Sequence, residues 1–304
     1  VLLFICQVVR RDVIGSGTAF PVLFLAFIIN AVIMENLENF SKFLFIQKGL
    51  QPVTVNGHVS AIKRIAKRYE FNKEQIENFV FSLYQSSYSY SHKSNQVKSI
   101  EYWFEFMGKP IKFGRQRKPK PIIKQTLTEA EITRLLFCCK NIREKAIVSV
   151  LAYSGIRPKE LKNLKLQDIN FGSNEVQIIQ GKGQKDGVIY ISETCVKIIL
   201  EYLSRFLKQP GDYLFMTHDG KRQLSQYALR KLLKTLTKRA KISKRVYPYL
   251  LRHSLATLMI GRGSDIFTVR DQLRHASTET CLIYIHSLGY SPKNRYEQFV
   301  PSFC

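Results

Sequence analysis

At 304 residues the chain is long enough for two ordinary domains and too long for one small module. Lys and Arg number 47 against 23 Asp and Glu, a formal net charge of +24, while 45% of residues are hydrophobic. The hydrophobic content argues against overall disorder, and the basic excess against an ordinary metabolic enzyme acting on neutral substrates; a polyanionic partner, nucleic acid or an anionic membrane surface, fits better.

The six cysteines are Cys6, Cys138, Cys139, Cys195, Cys281 and Cys304. None forms a C-x-x-C pair, so neither a zinc site nor a disulfide framework is expected, and the reducing cytoplasm fits best. Val13 to Ile33 is mostly apolar, broken by Gly15, Ser16, Gly17, Pro21 and Asn30 and preceded by Arg10 and Arg11. A signal peptide would need a small-residue cleavage site that is not evident. A membrane anchor is a second reading, since Ala19 to Met34 nearly reaches spanning length. The favoured expectation is that residues 1–33 form an apolar extension outside the functional protein, whose soluble part opens at Met34 with MENLENFSKFLF.

From Met34 to about Phe113 the pattern is helical. Val53 to Tyr69 places Val59, Ile62, Ile65 and Ala66 on an apolar face and Lys63, Arg64, Lys67 and Arg68 on a basic one. Lys73 to Leu83 and Gln96 to Met107 read as further helices. Lys112 to Lys124 (KFGRQRKPKPIIK) then holds six basic residues, no acids and two prolines, as expected of an extended interdomain linker suited to a phosphate backbone. Arg115, Arg117, Lys118 and Lys120 are its candidate DNA contacts.

A second domain opens at LTEAEI, where Thr128 and Glu131 have the spacing of a capping box. Helices are expected at 129–140, 143–153 and 158–164. Strands at Glu175–Gln180 and Val188–Ser192 follow, joined in a hairpin by GKGQKDG. Helices near 193–207, 225–241, 249–262, 264–273 and 278–286 complete a mainly helical domain with a small sheet.

Four stretches carry chemistry. In SGIRPKEL, Arg157 precedes a proline at a helix start, a natural anion site, and Glu160 one turn on is placed to orient it. The hairpin turn carries Lys182 and Lys185. YPYLLRHSLAT carries Tyr249, Arg252 and His253, and LRHASTETCLIY carries His275 and, nine residues later, Tyr284. Each is ordinary alone; their order and spacing together are not.

On these motifs the sequence resembles the tyrosine recombinase (phage integrase) family, Xer-like members above all, by motif over about 127–290 and more loosely over 34–113. SGIRPKEL stands for the family's T-G-hydrophobic-R-x-x-E-L, GKG for its hairpin lysine, LRHSLAT for L-R-H-[ST]-hydrophobic-A-T and LRHASTETCLIY for L-G-H-x-S…T…Y. Two departures stand out. Tyr249 occupies the place of the usual His, a Y-x-x-R form resembling that of some archaeal-lineage integrases, and Arg274 occupies that of a Gly.

The resemblance implies a fold that is mainly α with a small β-sheet. A helical core-binding (SAM-like) domain would span 34–113, a basic linker 114–126 and a mixed α/β catalytic domain 127–304. It implies a site-specific recombinase that cuts and rejoins double-stranded DNA through a 3′-phosphotyrosine. Tyr284 would be the nucleophile (Tyr290 and Tyr296 lack its relation to His275), Arg157, Arg252 and His275 would bind the phosphate, and Lys182 would be the general acid with Lys185 its nearest competitor. Glu160 would orient Arg157. No cofactor, metal or small-molecule substrate is expected, nor a membrane partner; the expected setting is the cytoplasmic nucleoid and the expected assembly a homotetramer on two DNA sites. A type IB topoisomerase-like enzyme and a catalytically lapsed DNA-binding relative are the alternatives.

Overall fold

The computed structural model describes residues 36–69, 71–119, 125–179, 186–206, 209–217, 222–279, 281, 282 and 284. Residues 1–33, Lys120, Lys182, Lys185, Tyr290 and Tyr296 lie outside them. The chain divides into two compact units between Pro121 and Ile122.

The first unit is helical: α1 (36–46), α2 (Pro52–Ala66), α3 (Lys73–Gln85) and α4 (Tyr90–Phe106). Phe40 and Leu44 of α1 pack with Val55 and Ile62 of α2, and the Phe40 ring meets Trp103 edge-on at 5.1 Å. Ile65, Ile76, Val80, Leu83, Val97, Ile100 and Phe104 form a second cluster. The buried stripe of α2 runs through Val55, His58, Ala61, Ile62 and Ile65. Ala66, expected on that face, is exposed, because the apolar stripe drifts round the helix and leaves it at the C-terminal turn. Lys63, Arg64, Lys67 and Arg68 are all exposed on the other side.

Helix α4 begins six residues before the expected Gln96. The stretch SYSYSHK has no apolar period, but the Ser89 side chain accepts from the His92 amide and starts the helix regardless. The first part of the expected linker is tied down: Glu101, 7% exposed, accepts from the Phe113 amide (3.1 Å) and from Arg115 (2.5 Å). A buried carboxylate needs such partners, so Arg115 is a structural counter-ion here, while Arg117 and Lys118 remain exposed.

The second unit is built around α6 (Ile142–Ser154), buried along most of its surface through Ala146, Ile147, Val148, Ser149, Val150, Leu151 and Ala152. A helix apolar on every side belongs in the middle of a core. Around it lie α5 (Glu129–Phe137), α7 (Pro158–Asn163), α8 (Glu193–Ser204), α9 (Gln226–Arg239), α10 (Pro248–Gly261) and α11 (Ile266–Leu273). The capping box at Thr128 and Glu131 is formed as its spacing predicts. The sheet has three antiparallel strands, β1 (Ile169–Asn170), β2 (Glu175–Ile178) and β3 (Gly187–Tyr190), in the order β1-β2-β3 with Ile169 opposite Val176 and Val176 opposite Ile189. Strand β1 was not expected; two residues are too few to show an alternation. Among the described residues no helix is long and apolar enough to cross a membrane.

Gly155 ends α6 in the left-handed region at φ +64°, where a Cβ would lie 2.7 Å from Leu273 Cδ2 and 3.1 Å from Leu255 Cδ2. Both the backbone and the space exclude a side chain. Gly155→Ala should destabilise the protein by about 2–4 kcal/mol, combining left-handed strain with overpacking; urea unfolding of the two proteins measures it, and a loss below about 1 kcal/mol would contradict the packing described.

Candidate active site

Arg157 is the N-cap of α7, with Pro158 at the first helical position. Glu160, at the third, holds it twice: Oε2 accepts from the Arg157 amide (3.0 Å) and Oε1 from its Nη1 (2.8 Å). Arg157 Nη2 donates to the Arg274 carbonyl at 2.9 Å. Arg252 points inward from α10 and is 5% exposed. Its Nη1 donates to the Gly155 carbonyl at 2.5 Å, and its Nη2 to the Leu273 carbonyl. Burial, then the neighbouring Arg157 charge, lowers the Arg252 pKa to about 10, which leaves it cationic at neutral pH.

The turn after α11 therefore offers consecutive carbonyls, Leu273 to Arg252 and Arg274 to Arg157. His275 follows, its amide bonded to the Arg270 carbonyl and its Nδ1 3.2 Å from Cys281 Sγ. Burial, and then Arg252 and Arg157, push its pKa down to about 4, so the imidazole is neutral at physiological pH. Tyr284 is 6% exposed, in a cluster with Ala256, Ile260, Val269, Leu273 and Cys281. Its ring stacks near-parallel to His275 at 6.1 Å and lies 4.7 Å from His253. Burial raises the phenol pKa, while Arg252 and Arg157 pull it down.

The structure thus brings Arg157, Glu160, Arg252, His275 and Tyr284 together. Tyr249 sits one turn before Arg252 and within its electrostatic reach, but is 55% exposed. Lys182 and its competitor Lys185 lie outside the described residues. Strand β3, which follows them in the chain, is tied to the site by Gln272: its side-chain amide accepts from the Tyr190 N–H (3.0 Å) and donates to the carbonyls of Tyr190 (2.8 Å) and Ser154 (3.0 Å). The side chain mimics a neighbouring peptide group at the sheet edge.

Sequence reasoning gave no role to Gln272 or Cys281, which carry no local signal, and named His253 only as part of LRHSLAT. It also passed over the exposed Arg230, Lys231, Lys234 and Lys238 of α9. A signal did exist there: from Gly220 to Ser264 the chain has no acidic residue.

Comparison with known proteins identifies the family. Residues 125–289 match the model of the phage integrase family. Tyrosine recombinase XerA of Pyrococcus horikoshii is 31% identical over 253 residues, covering 82% of this chain and 87% of XerA. Tyrosine recombinase XerD of Halalkalibacterium halodurans is 27% identical over 294 residues, covering 88% of this chain and 98% of XerD. A crystal structure of XerA recombinase superposes with a TM-score of 0.53 at 26% identity, over 89% of this chain and 100% of that one. The chain belongs to the phage integrase family, and it is a site-specific recombinase of the tyrosine class.

A depressed histidine pKa has a consequence for stability. Below 6.5 the unfolded chain takes up a proton that His275 in the fold refuses until about pH 4. Its contribution is fully present above pH 6.5 and is lost as pH falls towards 4. The wild type should lose on the order of 2 kcal/mol more than His275→Asn over that window. Unfolding free energies at a series of pH values give the difference; parallel curves would show that His275 is not shielded as described.

Proposed function

We propose that the protein cuts and rejoins duplex DNA through a covalent 3′-phosphotyrosine at Tyr284. The observation that carries this reading is the convergence of two guanidinium groups, an imidazole and a phenol on one turn. Tyr284 Oη attacks the scissile phosphorus, giving up its proton to water, and the 5′ oxygen leaves with the bonding electron pair; the ester conserves the bond energy for rejoining. Arg157 and Arg252 bind the non-bridging oxygens, where charge accumulates in the transition state. They take the place that a divalent ion holds in other phosphoryl-transfer sites. Lys182 protonates the leaving oxygen. Tyr249 offers its hydroxyl to a phosphate oxygen.

His275 acts as a neutral donor, with Cys281 setting its tautomer. Burial raises the Cys281 pKa and keeps the thiol protonated. An S–H directed at Nδ1 leaves the ring proton on Nε2, available to phosphate.

The basic surfaces bind the duplex backbone. Lys63, Arg64, Lys67 and Arg68 of α2 do so in the first unit, with Arg117, Lys118 and Lys120 near its end; Arg230, Lys231, Lys234 and Lys238 do so in the second. The net charge of +24 and family membership support a DNA partner, a homotetramer on two sites and residence at the nucleoid.

Incubation with a nicked duplex carrying the attachment site, followed by a denaturing gel, tests the nucleophile. Tyr284→Phe should abolish the adduct, a loss beyond about a thousandfold, while changing duplex affinity less than about threefold. An adduct that survives the substitution would refute the assignment.

The basic face makes a separate expectation. Replacing Lys63, Arg64, Lys67 and Arg68 by Gln should weaken binding to every duplex alike and flatten the dependence of log K on log salt by about 3 to 4. An unchanged slope in fluorescence anisotropy titrations would show that α2 does not touch phosphate.

A further inference from the structure

Arg274 occupies the position where the family pattern has glycine. It adopts the left-handed conformation, φ +50° and ψ 52°, that a glycine takes without strain. A residue held there against its own preference is retained only where its surroundings over-determine it. Its surroundings here are the active site. Its carbonyl accepts from Arg157. Its Nη1 donates at 3.2 Å to Glu160 Oε1, the oxygen that also receives Arg157 Nη1. Its Nε and Cδ lie where Gly187, the first residue of β3, has no side chain: a Cβ on Gly187 would sit 2.7 and 3.3 Å from them. The side chain is 12% exposed, so solvent screens these contacts little.

The charges explain what this arrangement does. Glu160 fixes Arg157 in place, but a carboxylate 2.8 Å from Arg157 also cancels the charge that a phosphate would feel. Arg274 supplies a second cation to the same carboxylate. Of these four side chains, three guanidinium groups against one carboxylate then leave two net positive charges, where without Arg274 there would be one. A phosphodiester carries one negative charge, and its five-coordinate transition state approaches two, so the extra charge favours the transition state more than the ground state.

Resting on the reading of Tyr284 given above, we propose that Arg274 is a positioning residue for strand cleavage, which neutralises Glu160 so that Arg157 is both held and left with its charge available to the scissile phosphate. An arginine that merely filled space beside Gly187 would leave the rate of chemistry untouched.

Single-turnover adduct formation on the nicked duplex, with the protein saturating, tests this in five proteins: the unaltered chain, Arg274→Gly, Arg274→Lys, Glu160→Gln and Arg274→Gly combined with Glu160→Gln. Thermal unfolding and duplex affinity are measured on each. Arg274→Gly should fold with an unchanged or raised Tm, since glycine relieves the left-handed strain, and should bind duplex as before. Its cleavage rate should fall about tenfold. Arg274→Lys, which keeps the charge, should recover most of that loss. In the Glu160→Gln background the further effect of Arg274→Gly should shrink to less than about twofold, because its target is gone.

A wild-type rate for Arg274→Gly would overturn the proposal. So would a loss of the same size with Glu160→Gln present, a lysine variant no better than glycine, or a rate loss that merely tracks a fall in Tm or affinity. If the unaltered protein itself forms no adduct, the reading of Tyr284 fails first and takes this inference with it.

Discussion

Arg252 carries a full positive charge to a place where only 5% of the residue is exposed, and the geometry of the second unit follows from how that charge is accommodated. A buried guanidinium is tolerated only when its donors are satisfied. Here the partners are neutral carbonyls, at Gly155 and Leu273, and among the described residues no carboxylate pairs with it directly. Carbonyl dipoles satisfy the hydrogen bonds without cancelling the charge. The cation therefore stays available to an anion, and the backbone at the end of α6 and at the end of α11 is fixed by the same side chain.

That double attachment explains the demands on the two chain turns. The α6 end must present its carbonyl to Arg252 while passing close under Leu273, which is why residue 155 lacks a Cβ. The α11 end must present two consecutive carbonyls to two different arginines, which the left-handed Arg274 accomplishes as it ends the helix. Gln272 then joins the same turn to β3 and to the Ser154 carbonyl. Three segments distant in sequence thus meet through polar contacts that need one another, an arrangement in which each satisfied group raises the penalty for losing the next.

What could be read in advance divides along the same line. Helix type and order were legible because apolar periods, the Thr128–Glu131 spacing and the hairpin glycines are local signals. So were Arg157, Arg252, His275 and Tyr284, whose spacings form one pattern. Features set by partners far along the chain were not legible. Nothing near Arg115 announces that Glu101 will hold it, and nothing near Gln272 announces that it will complete a strand edge. The start of α4 was missed because one serine hydroxyl outweighs an absent apolar period. The basic face of α9 was legible from the absence of acids between Gly220 and Ser264.

The same burial acts in opposite senses on the titrating groups around that turn. It keeps His275 neutral and Tyr284 and Cys281 protonated, while Arg252, whose pKa starts high enough to absorb the shift, remains charged. A low-dielectric site with fixed cations and neutral acids is poised for a reaction in which a phenol loses its proton as it bonds to phosphorus. The guanidinium groups already favour the phenolate, and they favour the charge that appears on the phosphate oxygens in the same step. Desolvation holds the phenol of Tyr284, the proposed nucleophile, protonated without substrate, and the arginines, oriented beforehand by backbone carbonyls, would need no reorganisation to receive a phosphate.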